Sequence, residues 1–288
     1  MYIRKGDDTV LEVKNKLAKP IIGLVLTVLC LVNLYPFVYM LFMSFKTNEE
    51  IMVYNPFGLP QSLYLENYSN AWTKFNIPVY FKNSVIVTLI SVTLTVLFAL
   101  LFSYATARMQ WRFSKIARAY ISLGLFVPMQ IILIPMTVLV KRWNFANTYA
   151  ALILPYIAFE LAFACLITYG FMRQIPYEFE EAASIDGAGI VRTFFVIICP
   201  LLVPAIAASF LYAFIGVWNE FTVALVMISK EELKTLPLGM INFRSQNFTD
   251  WGGMGAAMVI ASLPAVLLYA VLGEQLEKAL AIGAGIKG

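Results

Sequence analysis

The sequence predicts an all-α, polytopic membrane protein with six transmembrane helices, and three observations carry that prediction. The chain of 288 residues is 60% hydrophobic and only 13% charged, with a mean hydropathy of +0.77, which is a membrane composition rather than that of a soluble domain. Its apolar residues come in long blocks instead of amphipathic stripes, and a block of about 20 apolar residues is what a bilayer-spanning helix requires. No hydrophilic connection is large enough to hold a soluble domain, the longest being residues 46–82.

Taken in order, the spans are expected near 21–44, 84–107, 117–140, 150–171, 199–227 and 255–275. The first follows "KNKLAKP" and exceeds the short apolar core of a cleaved signal peptide, so it is read as a retained anchor. Orientation follows from lysine and arginine, which accumulate on the cytoplasmic side. With the N-terminus inside, thirteen of the 21 basic residues fall in inside segments, four of them in the tight "RMQWRFSKIAR" connection from Arg108 to Arg118. The expected topology is therefore N-in, C-in. It makes residues 1–20 a cytoplasmic tail, 21–83 the first span with its external loop, 84–275 a core of five spans, and 276–288 a second cytoplasmic tail. Trp143, Phe145 and Trp251 then lie near the outer interface, where aromatic belts are ordinary.

Composition also excludes much chemistry. The chain has no histidine, which removes the commonest general base and most transition-metal sites. Cys30, Cys165 and Cys199 are far apart, embedded in apolar stretches and without metal-ligand spacing, so they read as small buried hydrophobes. No phosphate-binding loop of the form GxxxxGK[ST] occurs; the closing "GAGIKG" has the wrong spacing. A net charge of +4 without a basic helix does not point to nucleic acid. No catalytic residue, cofactor site or metal site is expected in this chain.

One stretch breaks the pattern. "YEFEEAASIDGAGIV", Tyr177 to Val191, gathers four of the seventeen carboxylates (Glu178, Glu180, Glu181, Asp186) between two apolar runs, inside a cytoplasmic loop at 172–198. Pro176 suits a first helical position, acidic residues favour the positive end of the helix dipole, and Ala182 and Ala183 are strong helix formers. Gly187 permits the backbone to leave the helix. A second amphipathic piece, "IVRTFFVII", is expected to set Ile190, Phe194 and Ile197/Ile198 on one side, along the membrane surface, before Pro200. The insert is either a solvated helical connection or a protruding helix that docks in a groove on a soluble partner.

The spacing Glu181-Ala182-Ala183, three residues, Gly187, nine residues, Ile197, one residue, Cys199-Pro200 resembles the EAA loop of ATP-binding-cassette importer permeases. In that family the usual pattern is EAA-x3-G-x9-I-x-L-P, and only Cys199 departs from it. Asn83-Ser84, "PMQIILIP" (Pro128 to Pro135), "WNEF" (Trp218 to Phe221), "WGGMGAA" (Trp251 to Ala257) and the terminal "GAGIKG" are similar to the carbohydrate branch, and to its second, maltose-type G subunit. The resemblance covers about residues 20–288. It implies a type I importer permease fold in a bacterial cell membrane, a homologous partner permease, two ATPase subunits that carry ATP and Mg, and an external sugar-binding protein. It implies ATPase coupling through Glu181, Ala182, Ala183, Asp186 and Gly187.

Two carboxylates fall inside predicted spans: Glu160 in the fourth, and Glu220 in the fifth beside Trp218 and Asn219. Such groups are costly in lipid and face a cavity or a polar partner. One reading is a sugar pathway, with Asn and Glu bonding hydroxyls and an aromatic face stacking on the ring. The other is hydrogen bonding that fixes helix packing. The rival classes are a secondary carrier driven by an ion gradient, a permease for a non-sugar solute, and a scaffold whose loop only recruits a partner.

Overall fold

The computed structural model describes residues 7–245 and 248–284, with side chains described between Lys19 and Ala281. Arg4, Lys5 and Lys287, with the end of the "GAGIKG" tail, lie outside the described residues. Within them the chain is helical and no strand forms. In lipid this is a necessity, because every backbone N–H and C=O must be paired within the segment that carries it.

Helix α1 (Asp7–Met43) contains the first span and runs back through the predicted tail; α2 (Glu66–Thr73) lies in the connection between the first two spans. The second span, α3 (Ile77–Ala107), starts earlier than residue 84, behind Asn76 and with Pro78 in its first turn, where a missing N–H costs nothing. Helices α4 (Ser114–Leu123) and α5 (Met129–Arg142) replace the expected continuous third span. They and the short turn Gly124–Phe126 meet at an angle of 102°. Pro128 explains the break: it forces Val127 into extended backbone (φ −92°, ψ 110°) and cannot donate a helical hydrogen bond. The fourth span is α6 (Ala150–Met172), as expected.

After the loop helix α7 (Glu178–Ile185), the chain makes α8 (Ile190–Arg192), a π-turn (Thr193–Ile198) and α9 (Cys199–Leu201), then bends 77° into α10 (Val203–Trp218). Pro200 and Pro204 flank that bend. The expected fifth span, 199–227, is thus divided, and its last part is a separate helix, α11 (Thr222–Met227). After α12 (Leu236–Gly239), α13 (Trp251–Ala284) continues past the expected end at 275. Among the described residues four helices are long and apolar enough to cross a membrane, and up to six spans result if each bent pair counts as one.

Two compact units can be distinguished, one formed by the chain up to Ala71 with Ser245–Ile260, the other by Trp72–Arg244 with the chain from Ala261 on. In the first, Lys46 is buried, and its ammonium donates to Asn55 O and Gly58 O, each at 2.7 Å, and to Pro56 O at 3.4 Å. Asn67 donates to Ser44 O and Lys46 O. A Cβ on Gly252 would fall 2.6 Å from the Asn67 amide and 2.7 Å from Lys46 O, which gives the "WGGMGAA" glycine its reason.

In the second unit, α3, α6 and α10 pack on one another through small residues. Ala99, Ala164 and Cys165 form a buried cluster, and the hydroxyls of Ser103 and Thr168 are 2.7 Å apart. Small side chains let helix backbones approach where lipid offers no hydrophobic drive between them. Of the three free cysteines only Cys165 is buried; Cys30 is exposed and Cys199 half-buried.

A polar clasp holds the connection 228–244 on the N-terminal ends of α3 and α6. Asn83 donates to Glu232 O and Lys234 O, each at 2.9 Å, and accepts from Tyr149 Oη at 2.6 Å. Ser84 Oγ accepts from the Leu236 N–H. The Asn83-Ser84 pair thus anchors a loop rather than merely opening a helix. Glu231 accepts from Tyr80 and from Asn242 and pairs with Lys234 at 2.6 Å. Burial works against its charge, but the bonds from Lys234, Tyr80 and Asn242 together hold the carboxyl below its usual value.

Two predictions follow from these contacts. Lys46→Met leaves buried carbonyls without a donor, a loss of about 1–3 kcal/mol, and limited proteolysis within residues 52–60 is expected to speed up. The Glu231 contribution is complete above the ordinary carboxylate range, about pH 4.3, and is lost as pH falls through the lowered folded value. Hydrogen-exchange protection of residues 229–243 is expected to drop on acidification, and Glu231→Gln to show the same low protection at neutral pH.

Candidate functional site

The acidic insert forms α7, beginning at Glu178, two residues after the expected Pro176. Glu178, Glu180 and Glu181 sit in its first turn, at the positive end of the dipole. No side chain caps this end. Instead Arg108, at the end of α3, reaches across to it. Its guanidinium lies 4.3 Å from the centre of the Tyr177 ring, donates to Ile175 O, and places Nε 3.7 Å from Glu180. Tyr177 Oη in turn donates to Ala107 O at 3.2 Å. The Arg108 side chain is almost completely buried, although the Tyr177 ring that covers it is itself exposed on its outer side.

The other end of α7 closes with a Schellman motif. Ala188 N–H donates to Ala183 O at 2.9 Å and Gly187 N–H to Ser184 O at 3.0 Å, with Gly187 at φ +76°. Both ends of a helix of 8 residues are therefore fixed.

The faces of α7 differ. Ala183 is buried, and the helix packs on the π-turn, whose Thr193, Phe194 and Ile198 are buried in turn. Phe194 meets Tyr104 of α3 with ring centres 4.9 Å apart. Ile190, expected on this face, is exposed instead; the wider π-turn rotates the inward positions to Thr193, Phe194 and Ile198. Glu181, Ala182, Asp186 and Gly187 face outward, and Ile185 is 86% exposed at the tip. Of the five expected coupling residues, four form the outer face and Ala183 the seat.

Sequence reasoning gave no role here to the contact of Arg108 with Tyr177. Arg108 counted there only as a cytoplasmic charge, yet it and Arg118, which stacks 4.6 Å from the Tyr169 ring and donates to its hydroxyl, tie connections together. A clue was available in the tyrosines set among the basic and acidic residues, but their pairing needs the fold.

The expected pathway residues lie elsewhere, along the seam of α6 and α10. Trp218 is buried, with its indole N–H donating to Ala261 O at 3.0 Å and its ring against Phe81 and Phe214. It offers no open face for a sugar ring. Glu220 accepts from Tyr156 Oη at 2.6 Å and from the N–H groups of Val223 (2.8 Å) and Ala224 (3.3 Å). It caps α11 and bolts it to α6, which is the packing alternative. Asn219 is exposed, and its amide donates to Ile215 O. Glu160 is half-buried and has no hydrogen-bond or ion-pair partner among the described residues. Among those residues no three acidic or cysteine side chains cluster as metal ligands.

Known proteins that the chain resembles are permease subunits, transport components rather than enzymes. Over residues 96–282 the chain matches the family described as binding-protein-dependent transport system inner membrane component. The chain belongs to that family. It is 34% identical over 250 residues to the diacetylchitobiose uptake system permease protein NgcG of Streptomyces coelicolor, covering 86% of this chain and 82% of the relative. It is 31% identical over 275 residues to the trehalose/maltose transport system permease protein MalG of Thermococcus litoralis, covering 93% and 96%. The sulfoquinovosyl glycerol transport system permease protein SmoH of Agrobacterium fabrum is 30% identical over 94% of each chain. The fold is that of a chain in the crystal structure of a bacterial ABC transporter involved in the import of the acidic polysaccharide alginate, with a TM-score of 0.76 and 19% identity over 96% of this chain and 100% of that one. The protein is thus a multi-pass membrane component of a transporter complex.

The C-terminal closure of α7 gives a paired test. Gly187→Ala puts a side chain at φ +76°, where the strain costs about 1–2 kcal/mol. Gly189, at φ −73° and also with open space around it, tolerates alanine. Hydrogen exchange across residues 178–188 is expected to accelerate severalfold in the first variant only.

Proposed function

We propose that this chain is one of two homologous permease halves of an ATP-driven, binding-protein-dependent importer of an oligosaccharide or related carbohydrate. The complex sits in the bacterial cell membrane. Two ATPase subunits hold ATP and Mg, and an external sugar-binding protein delivers the solute. Support for the substrate class comes from the relatives, whose names refer to diacetylchitobiose, trehalose/maltose and sulfoquinovosyl glycerol uptake. Support for a second permease comes from α1: none of the most apolar part of the stretch Lys19–Met43 is buried in this chain. The proposed orientation keeps residues 1–20, 172–198 and 276–288 on the cytoplasmic side, by the positive-inside argument.

The observation that carries the reading is the outer face of α7. Glu181 and Asp186 offer charge to a basic partner, Ile185 an apolar tip, and Ala182 the small surface that close approach needs. When nucleotide binding closes the ATPase dimer, a helix seated in its surface is displaced. Through the Arg108 node that displacement reaches α3, through the chain it reaches α6, and through the π-turn it reaches α10. Three packed rods then move as a group between outward- and inward-facing states, which is the discrete two-state element coupling requires. A gradient-driven carrier has no use for such a helix.

Glu181→Lys is expected to abolish uptake while the complex still copurifies intact. In proteoliposomes, transport should require ATP and the ATPase subunits. Wild-type uptake by the variant sinks the docking role, and uptake on an ion gradient alone sinks the importer.

A further inference from the structure

The seam of α6 and α10 is a ladder of three rungs running antiparallel. Tyr156 bonds to Glu220; Glu160 lies against Gly216; Phe163 stacks on Tyr212 with ring centres 3.9 Å apart. The first rung is closed, since both oxygens of Glu220 are engaged within the chain. The second is open. Gly216 is exposed and has no side chain to cover the carboxylate; a Cβ there would come within 3.1 Å of Glu160 Cδ and push it aside. Glu160 has no partner among the described residues, although an ionisable group at this depth needs one. Beside it, Tyr212 is 49% exposed and held in orientation by Phe163. On the other side, about one turn along the same face of α10, Asn219 is exposed, with its carbonyl oxygen free of any described donor.

We propose that Glu160, Tyr212 and Asn219 form a saccharide-contact subsite on this permease half, a place where the translocating carbohydrate touches this chain directly. The chemistry matches the ligand class. A carboxylate only accepts, and two adjacent sugar hydroxyls supply the two donors it lacks. The amide oxygen of Asn219 takes a further hydroxyl. The Tyr212 ring, kept flat by the stacked phenylalanine, meets the C–H face of the pyranose, while a glycine between carboxylate and ring leaves the helix surface low enough for a sugar to lie across it. An aliphatic lipid tail satisfies none of these polar groups. A basic residue from the partner permease would engage the carboxylate alone and gives no account of the exposed tyrosine and asparagine. This subsite rests on the reading that the complex imports a carbohydrate.

The test uses the whole transporter, with both permeases and both ATPases, in proteoliposomes supplied with its sugar-loaded binding protein. Glu160→Gln and Tyr212→Leu are each expected to lower sugar uptake by about tenfold, the loss of one hydrogen bond to a charged group or of one stacking surface. Basal ATP hydrolysis and copurification of the partner permease should stay at the wild-type level, so that less sugar moves per ATP. In a complex whose Cys30, Cys165 and Cys199 are replaced by serine, Tyr212→Cys should react with a membrane-impermeant maleimide, and sugar during turnover should slow that reaction. Unchanged uptake in both variants overturns the subsite. So does loss of the partner permease with Glu160→Gln, which marks the carboxylate as interhelical glue, or a thiol at 212 unreactive in every nucleotide state, which marks a surface covered by lipid or protein. If the wild-type complex moves no carbohydrate, the transport reading fails, while the thiol chemistry still reports whether the seam is wet.

Discussion

Hydrocarbon gives a peptide group nothing to bond to, and that absence shapes this chain more than any side chain does. Each membrane segment must pair its own backbone, so the apolar blocks become helices whatever their local propensities. Prolines decide where those helices yield. At Pro128 the rod breaks by 102°, and between Pro200 and Pro204 by 77°. Pro20, Pro36, Pro135, Pro155 and Pro264 remain inside helices. The difference is position. Pro128 follows a residue already driven into extended backbone, whereas the others sit within turns that continue on both sides.

Arg108 is the point where membrane and loop meet. It lies one residue past the end of α3 and would read, by position, as one more inside-positive charge. Its guanidinium instead stacks on Tyr177, bonds to Ile175 O and approaches Glu180, all within the connection from α6 to α7. With the Schellman closure at Gly187, the node fixes a helix of two turns at both ends. Burial matters here: an exposed pair of this kind contributes little, but the enclosed guanidinium has no water to exchange for its partners.

The two carboxylates of the α6–α10 seam show how one residue type divides its roles by neighbourhood. Glu220 begins a helix, so three donors converge on it, and it is consumed in packing. Glu160 faces a glycine and is left open. By sequence the two were each an acid in a hydrophobic run, and the aromatic expected beside them was Trp218. Trp218 is buried because its side of α10 turns toward Phe81 and Ala261, while Tyr212 lies on the side with Gly216.

The sequence by itself determined the class: long apolar blocks require membrane helices, and the spacing from Glu181 to Pro200 resembles the EAA loop of importer permeases, because both signals are local and depend on a few turns of chain. The break at Pro128 inside the expected third span, 117–140, belongs to the structure, because Pro135, Pro155 and Pro264 stand inside helices that continue. Only the tertiary structure decided which side of each rod is covered, that Arg108 meets Tyr177 across 69 positions of chain, that Asn83 and Ser84 hold the loop 228–244, and that Glu160 is open while Glu220 is closed. In an evenly apolar helix no amphipathic stripe announces the inner face, so that choice is left to packing against other helices.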